Sequence, residues 1–278
     1  CNKMDKVIVP SMFSKTAFLN GGLDPKKISN VPEAVTCGSK QTLGCDQLNE
    51  KLDNLSTDFN FLVFGQLTSN DMSTDRKNTV NCLKWICEEF KNDPSVGIVL
   101  KTNMGRMTQE DRNAVAKMAE QFVNHFREGD FPRIHVLHGL LDKHEVGALF
   151  RHPKIKALAT ATRGEGWGLP ILDAASCGLP VIAPSCTGHV DFMKHVKYLD
   201  VKYRKAFIPE QMADGRVWVK GTSWIEPSEN HFKSRVSKFR KQPLRPKEWA
   251  EEGSEKINSL FSLDSVFECY DIALREVI

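Results

Sequence analysis

Apolar positions along this chain follow two alternating rhythms. Largely apolar runs at 59–65 (Phe-Asn-Phe-Leu-Val-Phe-Gly), 96–101, 133–138, 155–160 and 181–184 read as strands, the first of them buried and ending in glycine. Between them, apolar residues recur at helical spacing. Val80, Leu83, Ile86, Cys87 and Phe90 share one face of a helix over 78–90, with Trp85 packed beside them. Val115, Met118, Phe122 and Phe126 share a face over 108–126, where Thr108 and Asp111 are spaced as a capping box. Shorter helices are expected at 143–150, 169–177 and 188–195. Strands separated by helices predict a parallel sheet covered on both faces, with right-handed connections. Five such strands make a doubly wound, Rossmann-like α/β domain.

After Val196 the rhythm weakens. Val217-Trp218-Val219 and Ser223-Trp224-Ile225 are expected as short strands near the sheet edge, and 228–240 and 247–261 as helices. A final helix is expected over 265–277, capped by Asp264 or Ser265. Residues 1–30 read as a separate piece: a strand at Val7-Ile8-Val9, a short helix after Pro10-Ser11, then Gly21-Gly22. The expected division is therefore an interdomain or N-terminal-domain remnant (1–30), a Rossmann-like ligand domain (31–262) and a C-terminal helix (263–278). Because the chain opens on Cys1 with no strand-helix unit ahead of Val7, it is expected to be the C-terminal part of a longer protein.

Composition narrows the classes. A net charge of +3 over 278 residues does not make the concentrated basic face of a nucleic-acid binder. The densest basic run, from Lys233 to Lys247, reads as a solvated helix face. No stretch has the length of apolar residues that a membrane span needs, and no signal-peptide pattern opens the chain. The 8 cysteines form no CxxC pair, and Cys82, Cys87 and Cys177 lie in apolar contexts typical of buried free thiols. A reducing cytoplasm fits best. The histidines show no zinc-ligand spacing, so no metal is expected.

Candidate chemistry gathers in Arg163-Gly164-Glu165-Gly166-Trp167-Gly168-Leu169-Pro170 and the run that follows to Ala183. Ligands of parallel sheets bind where loops leave the carboxyl ends of strands. The glycines there let backbone N–H groups approach a phosphate, and the helix start adds positive potential. Glu165 in that loop faces the ligand and is placed to fix sugar hydroxyls; the plainer reading is a tight turn with one exposed acid. Asp173 lies about one turn into the helix and leans back toward the same pocket, where it would hold ribose hydroxyls unless it is simply an exposed helix acid. Arg76 and Lys77 open the helix after the first strand. Either Thr74, Asp75, Arg76 and Lys77 simply decorate a helix start or, since cations are disfavoured there, the two cations mark an anion such as a diphosphate beside the helix end. Lys101 ends the second strand on the same sheet edge, where a loop lysine is the commoner role. Leu140-Leu141 would offer backbone groups to a base, or pack. Gly188 starts a helix near the sugar, His189 reads as a loop histidine, and Trp167 either walls the pocket or joins the core. There is no Gly-x-Ser-x-Gly, no P-loop and no Gly-x-Gly-x-x-Gly after the first strand, which disfavours a nicotinamide enzyme.

The run Glu165-Gly166-Trp167-Gly168-Leu169-Pro170-Ile171-Leu172-Asp173-Ala174, continued by Cys177-Gly178-Leu179-Pro180-Val181-Ile182-Ala183, resembles the hallmark Glu-x7-Glu string of retaining GT-B glycosyltransferases of the family 4 type. Val9-Pro10-Ser11-Met12-Phe13-Ser14-Lys15 and Asn30-Val31-Pro32 are similar to that family's interdomain region, so the likeness runs from about residue 7 to 195. The resemblance implies the C-terminal, donor-binding half of such an enzyme, transferring a sugar from a UDP-, GDP- or ADP-linked donor with retention and without an obligatory metal. It implies that Glu165 contacts the donor sugar, Asp173 the ribose, and Arg76 and Lys77 the diphosphate. Gly65, Lys101 and Leu141 would join Gly166, Trp167, Gly168 and Leu169 around the donor. Two positions depart from the pattern: Asp173 stands for Glu, and Gly65-Gln66 stands where Gly-Arg is usual, a loss that Arg76 is placed to make good. The acceptor site would sit on a missing N-terminal domain, so the chain alone is expected to turn over slowly. A non-catalytic nucleotide-sugar module and a nucleotide-sugar epimerase stay open as alternatives.

Overall fold

The computed structural model describes residues 1–37, 45–67, 72–103, 105–106 and 108–275. The chain starts with β1 (Val7–Val9), α1 (Met12–Asn20) and β2 (Ile28–Asn30), and β1 and β2 pair in parallel with Val7 opposite Ile28. β2 has only half-buried polar company in sequence, which is why the apolar rhythm did not mark it. After α2 (Asp46–Asp53) the alternation begins: β3 (Phe59–Phe64), α3 (Thr79–Glu89), β4 (Val96–Thr102), α4 (Gln109–Phe126), β5 (Arg133–His138) and α5 (Lys143–Arg151). It continues through β6 (Ile155–Ala159), α6 (Leu169–Ser176), β7 (Val181–Pro184), α7 (Val190–Met193) and β8 (Leu199–Val201).

β3 to β8 form a six-stranded parallel sheet in the order β5-β4-β3-β6-β7-β8. All five expected strands lie in it, and the three-residue β8 adds a sixth edge that the apolar rhythm missed. The alternation of β3 decides the two cores. Phe61 and Val63 face α3 and the helix α8 (Glu229–Lys241), where Leu83, Ile86, Phe232 and Phe239 are buried. Leu62 faces the other way, into the layer of Leu149, Phe150, Leu172 and Ile257. The expected capping box of α4 is present, with the Thr108 hydroxyl accepting from the Asp111 N–H at 3.2 Å and the Asp111 carboxylate from the Thr108 N–H at 3.2 Å.

The C-terminal third differs more from expectation. β9 (Tyr203–Phe207) and β10 (Ser223–Pro227) make a separate antiparallel hairpin, Trp224 opposite Ala206, rather than edge strands of the main sheet. Residues 217–219 are no strand, because the Asp214 carboxylate accepts the N–H groups of Arg216, Val217 and Trp218 at 2.8–2.9 Å and folds them into a turn. α9 (Leu244–Leu260) precedes α10 (Leu263–Leu274), which is capped by Ser262 and not by Asp264 or Ser265; the Ser262 hydroxyl accepts from the Ser265 N–H at 3.2 Å. The expected end of this helix at Val277 lies outside the described residues. α10 returns to the front of the chain, packing Val266 and Ala273 on Val31, with Ile8 and Ala34 beside them. Lys233 and Arg235 in the basic run are paired, with Glu88 and Asp200 respectively.

Candidate functional site

From β3 the chain steps outward to β4 and β5, then returns to lay β6 against the other side of β3 and continues outward to β8. The strand order therefore reverses between β3 and β6, and the crevice beyond their carboxyl ends is where such sheets hold ligands. The loops leaving these two strands carry Arg76-Lys77 and Glu165.

The first loop is shaped by Asp75, whose carboxylate accepts the N–H of Lys77 at 2.9 Å and of Thr79 at 2.7 Å, satisfying the open start of α3. Asn78 is buried in the left-handed region (φ 53°) and donates its amide to the Ala161 carbonyl at 3.0 Å, tying this loop to the one after β6. Arg76 and Lys77 are thereby aimed across the crevice. The second loop is held by Arg163, which is 3% exposed. Its guanidinium forks onto the Glu226 carboxylate at 2.8 and 2.9 Å and donates to the carbonyls of Met72 at 2.8 Å and Asp75 at 2.6 Å. Gly188 lets a third loop close on the same turn: a Cβ there would lie 2.0 Å from the Gly166 carbonyl oxygen, and its N–H donates to the Glu165 carbonyl at 2.9 Å.

Glu165 is 8% exposed and saturated with donors. The Lys77 ammonium donates to both carboxylate oxygens at 2.8 Å, the Thr162 hydroxyl donates at 2.8 Å, and Arg76 stands 3.5 Å away while also bonding the Gly164 carbonyl. Burial opposes the charge of this carboxyl, yet Lys77, Arg76 and Thr162 outweigh it and hold its pKa below the ordinary value. The Thr187 hydroxyl receives the Glu165 N–H at 3.0 Å. Thr162, Arg163 and Thr187 carry the geometry of this turn; Arg163 opens the candidate run but its role had no sequence signal, and Thr162 and Thr187 had none beyond their place at strand ends.

Two clefts meet at this ion pair. The first, about 370 Å³, is lined by Gly65, Gln66, Lys77, Lys101 and Asn103, with Leu140, Leu141 and Val146 at its apolar end. Lys101 is buried, which pushes its pKa down, and its ammonium bonds the carbonyls of Thr102 at 3.3 Å and of Gly139. The second cleft, about 770 Å³, has Arg76, Gly164, Glu165, Gly166 and Thr187 as its floor and lies between α1 and the β9–β10 hairpin. Gly168, left-handed at φ 99°, caps α6 ahead of Leu169, which is 40% exposed. Pro170, next in the helix, lines the first cleft.

The remaining expected residues sit farther back. Asp173 is 7% exposed, and its carboxylate accepts the Thr36 N–H at 3.2 Å and the Thr36 hydroxyl at 3.1 Å. Burial pushes its pKa up, and those hydrogen bonds offset the rise only in part. Trp167 packs in the core, its ring 5.0 Å from Phe192 and 5.7 Å from Phe261. His189 is wholly buried under the turn and its Nε2 lies 2.6 Å from the Pro184 carbonyl oxygen; burial lowers its pKa. Among the described residues no group of three or more His, Cys, Asp or Glu side chains is placed to hold a metal ion, and no helix is long and apolar enough to cross a membrane.

No protein-family model matches this sequence, and no curated protein matches it by sequence. Solved structures do match by shape. Sucrose-phosphate synthase from Thermosynechococcus elongatus superposes with a TM-score of 0.68 at 15% identity, over 99% of this chain and 59% of that one. Anabaena HepE, in complex with UDP and glucose, gives 0.70 at 14% identity, over 99% of this chain and 65% of that one. WaaG, a glycosyltransferase involved in lipopolysaccharide biosynthesis, gives 0.60 at 15% identity, over 97% and 63%. These neighbours are GT-B glycosyltransferases, and this chain has the Rossmann-like half of their fold. It spans less than two thirds of their length.

Proposed function

We propose that this chain is the donor-binding half of a glycosyltransferase that moves a sugar from a nucleotide-sugar to an acceptor, with retention at the anomeric carbon and without an obligatory metal. The observation that carries this reading is the Lys77–Glu165 pair, with Arg76 beside it, placed between two clefts at the point where the strand order reverses. The first cleft grades from cationic to apolar, which complements a nucleotide's anionic diphosphate and its base. Leu140, Leu141 and Val146 would face the base and Lys77 the diphosphate, with Arg76 reaching it from the second cleft. HepE, with UDP and glucose bound, has the same fold.

The chemical demand is the negative charge that builds on the departing diphosphate. Lys77 reaches the first cleft while holding Glu165, so an arriving diphosphate competes with the carboxylate for one ammonium. Glu165, on the floor of the second cleft, is then freed to accept sugar hydroxyls. The glycine turn that opens α6 adds N–H groups at a helix start. Asp173 takes the ribose in this reading only if Thr36 releases its carboxylate. That closed contact is the one observation favouring the second reading, a nucleotide-sugar module that binds without turnover. Acceptor and full activity belong to the whole protein.

Calorimetric titration with UDP, GDP and ADP tests the reading. One nucleotide is expected to bind, with Lys77→Ala weakening it by about tenfold, the loss of one charge-assisted contact. Glu165→Ala is expected to weaken the nucleotide-sugar more than the nucleotide. A folded chain that binds none of the three would overturn the proposal.

A further inference from the structure

The second cleft has walls that donor binding leaves unused. On one side α1 presents Phe13, which is 47% exposed; on the other the hairpin presents Tyr203, which is 44% exposed, and Trp218. Trp218 stands edge-on to Trp224, with ring centroids 6.0 Å apart and planes at 79°, and Trp224 lies over the Arg163 guanidinium at 4.9 Å. Arg163 forks onto Glu226 of the hairpin, and its carbonyl receives the Ile225 N–H at 3.1 Å. The aromatic wall is thus fastened to the segment that carries Glu165, so the spacing between wall and carboxylate is fixed by the fold.

Polar groups alternate with these rings. Thr16 and Thr222 donate their hydroxyl protons to the carbonyls of Met12 at 2.8 Å and Val219 at 2.7 Å, which leaves their oxygens as acceptors facing the cleft. Asn20 and Ser223 add amide and hydroxyl groups, and Lys205 adds a cation. Exposed aromatic faces interleaved with short hydroxyl and amide side chains match a pyranose ring, whose C–H face is apolar and whose rim is all hydroxyl. We infer that this cleft is a carbohydrate subsite: α1 and the β9–β10 hairpin hold an acceptor sugar against the Glu165 turn, so that part of the acceptor site is built by this half of the protein. That the sugar serves as acceptor rests on the function proposed above; that the cleft binds a sugar does not.

The experiment is saturation-transfer NMR on the 278-residue chain with UDP present, using maltose, cellobiose, lactose and N,N′-diacetylchitobiose as probes, with tryptophan emission followed in parallel. At least one disaccharide is expected to receive saturation and to shift the emission. Trp218→Ala, and separately Tyr203→Ala, should weaken that sugar about tenfold, with far-UV circular dichroism confirming the fold of each. Two results would overturn the inference: no saturation reaching any of the sugars, or binding that survives both substitutions. UDP affinity measured in the same samples reports on the other cleft. Sugar binding without UDP binding would sink the proposed function and keep this one; UDP binding without sugar binding would do the reverse.

Discussion

The ammonium of Lys77 lies 2.8 Å from both carboxylate oxygens of Glu165, across two loops that leave different strands. Removing one partner of a buried pair is costly because the other charge is stranded. Lys77→Met should therefore destabilise the fold by about 1–3 kcal/mol, below the usual range for buried pairs because the Lys77 side chain is 30% exposed and Arg76 remains near. Adding Glu165→Gln should recover part of the loss. Urea unfolding of the two single variants and the double gives the coupling; additive effects would show that the pair does not hold the loops together.

The two acids of the string respond to pH in opposite directions. Glu165 has a native pKa below its ordinary value, so its stabilisation is present above about pH 4.3 and is lost as pH falls through the native pKa. Asp173 has a native pKa above its ordinary value, so its contribution is full below about pH 3.9 and is lost as pH rises through the native pKa. Asp173→Asn should thus be at least as stable as the parent at pH 8 and lose that advantage at low pH. Denaturation across pH 3–8 checks it, and a variant that is weaker at pH 8 would refute it.

Two glycines on the loops around Glu165 should behave differently. At Gly188 a Cβ would meet the backbone oxygens of Gly166 at 2.0 Å and Glu165 at 2.9 Å, neither of which can step aside. At Gly164 the nearest atom would be a Thr187 methyl at 3.7 Å, an ordinary contact. Gly188→Ala should cost roughly 3 kcal/mol or more, and Gly164→Ala less than about 1 kcal/mol. Paired thermal melts distinguish them.

Arg163→Lys keeps the charge but loses the fork that joins Glu226 to two loop carbonyls. A loss of about 2–4 kcal/mol is expected from so buried a network. The Ile225 amide, bonded to the Arg163 carbonyl at 3.1 Å, should lose hydrogen-exchange protection before the central strands do.

The parallel sheet was legible because β3, β4 and β7 are buried on both faces and therefore spelled as continuous apolar runs. β9 was not, since Tyr-Arg-Lys-Ala-Phe is mostly exposed and pairs only with its own hairpin partner. At the candidate site, Arg76 and Lys77 stood out because cations are disfavoured at a helix start, and the glycines and Glu165 because they sit together in one long string. The bracing role of Arg163, at the head of the same run, was not legible, because it depends on Glu226, a partner far along the chain that only folding brings near. The same holds for Asp173, whose orientation in a helix was readable but whose capture by Thr36 was not.

The front of the chain is bonded to the glycine turn itself. The hydroxyls of Ser11 and Ser14 donate to the Gly166 carbonyl at 2.6 and 3.3 Å, and the Met12 N–H donates to Asp191 at 2.7 Å. α1 is in turn continuous with the β1–β2 ribbon on which α10 packs. The ribbon, α1 and α10 are thus joined, through one hydrogen-bonded peptide, to the turn that carries Glu165. The peptide beside Glu165 is therefore anchored from outside the parallel sheet as well as from within it, by two hydroxyls that belong to the first turn of α1 and its cap.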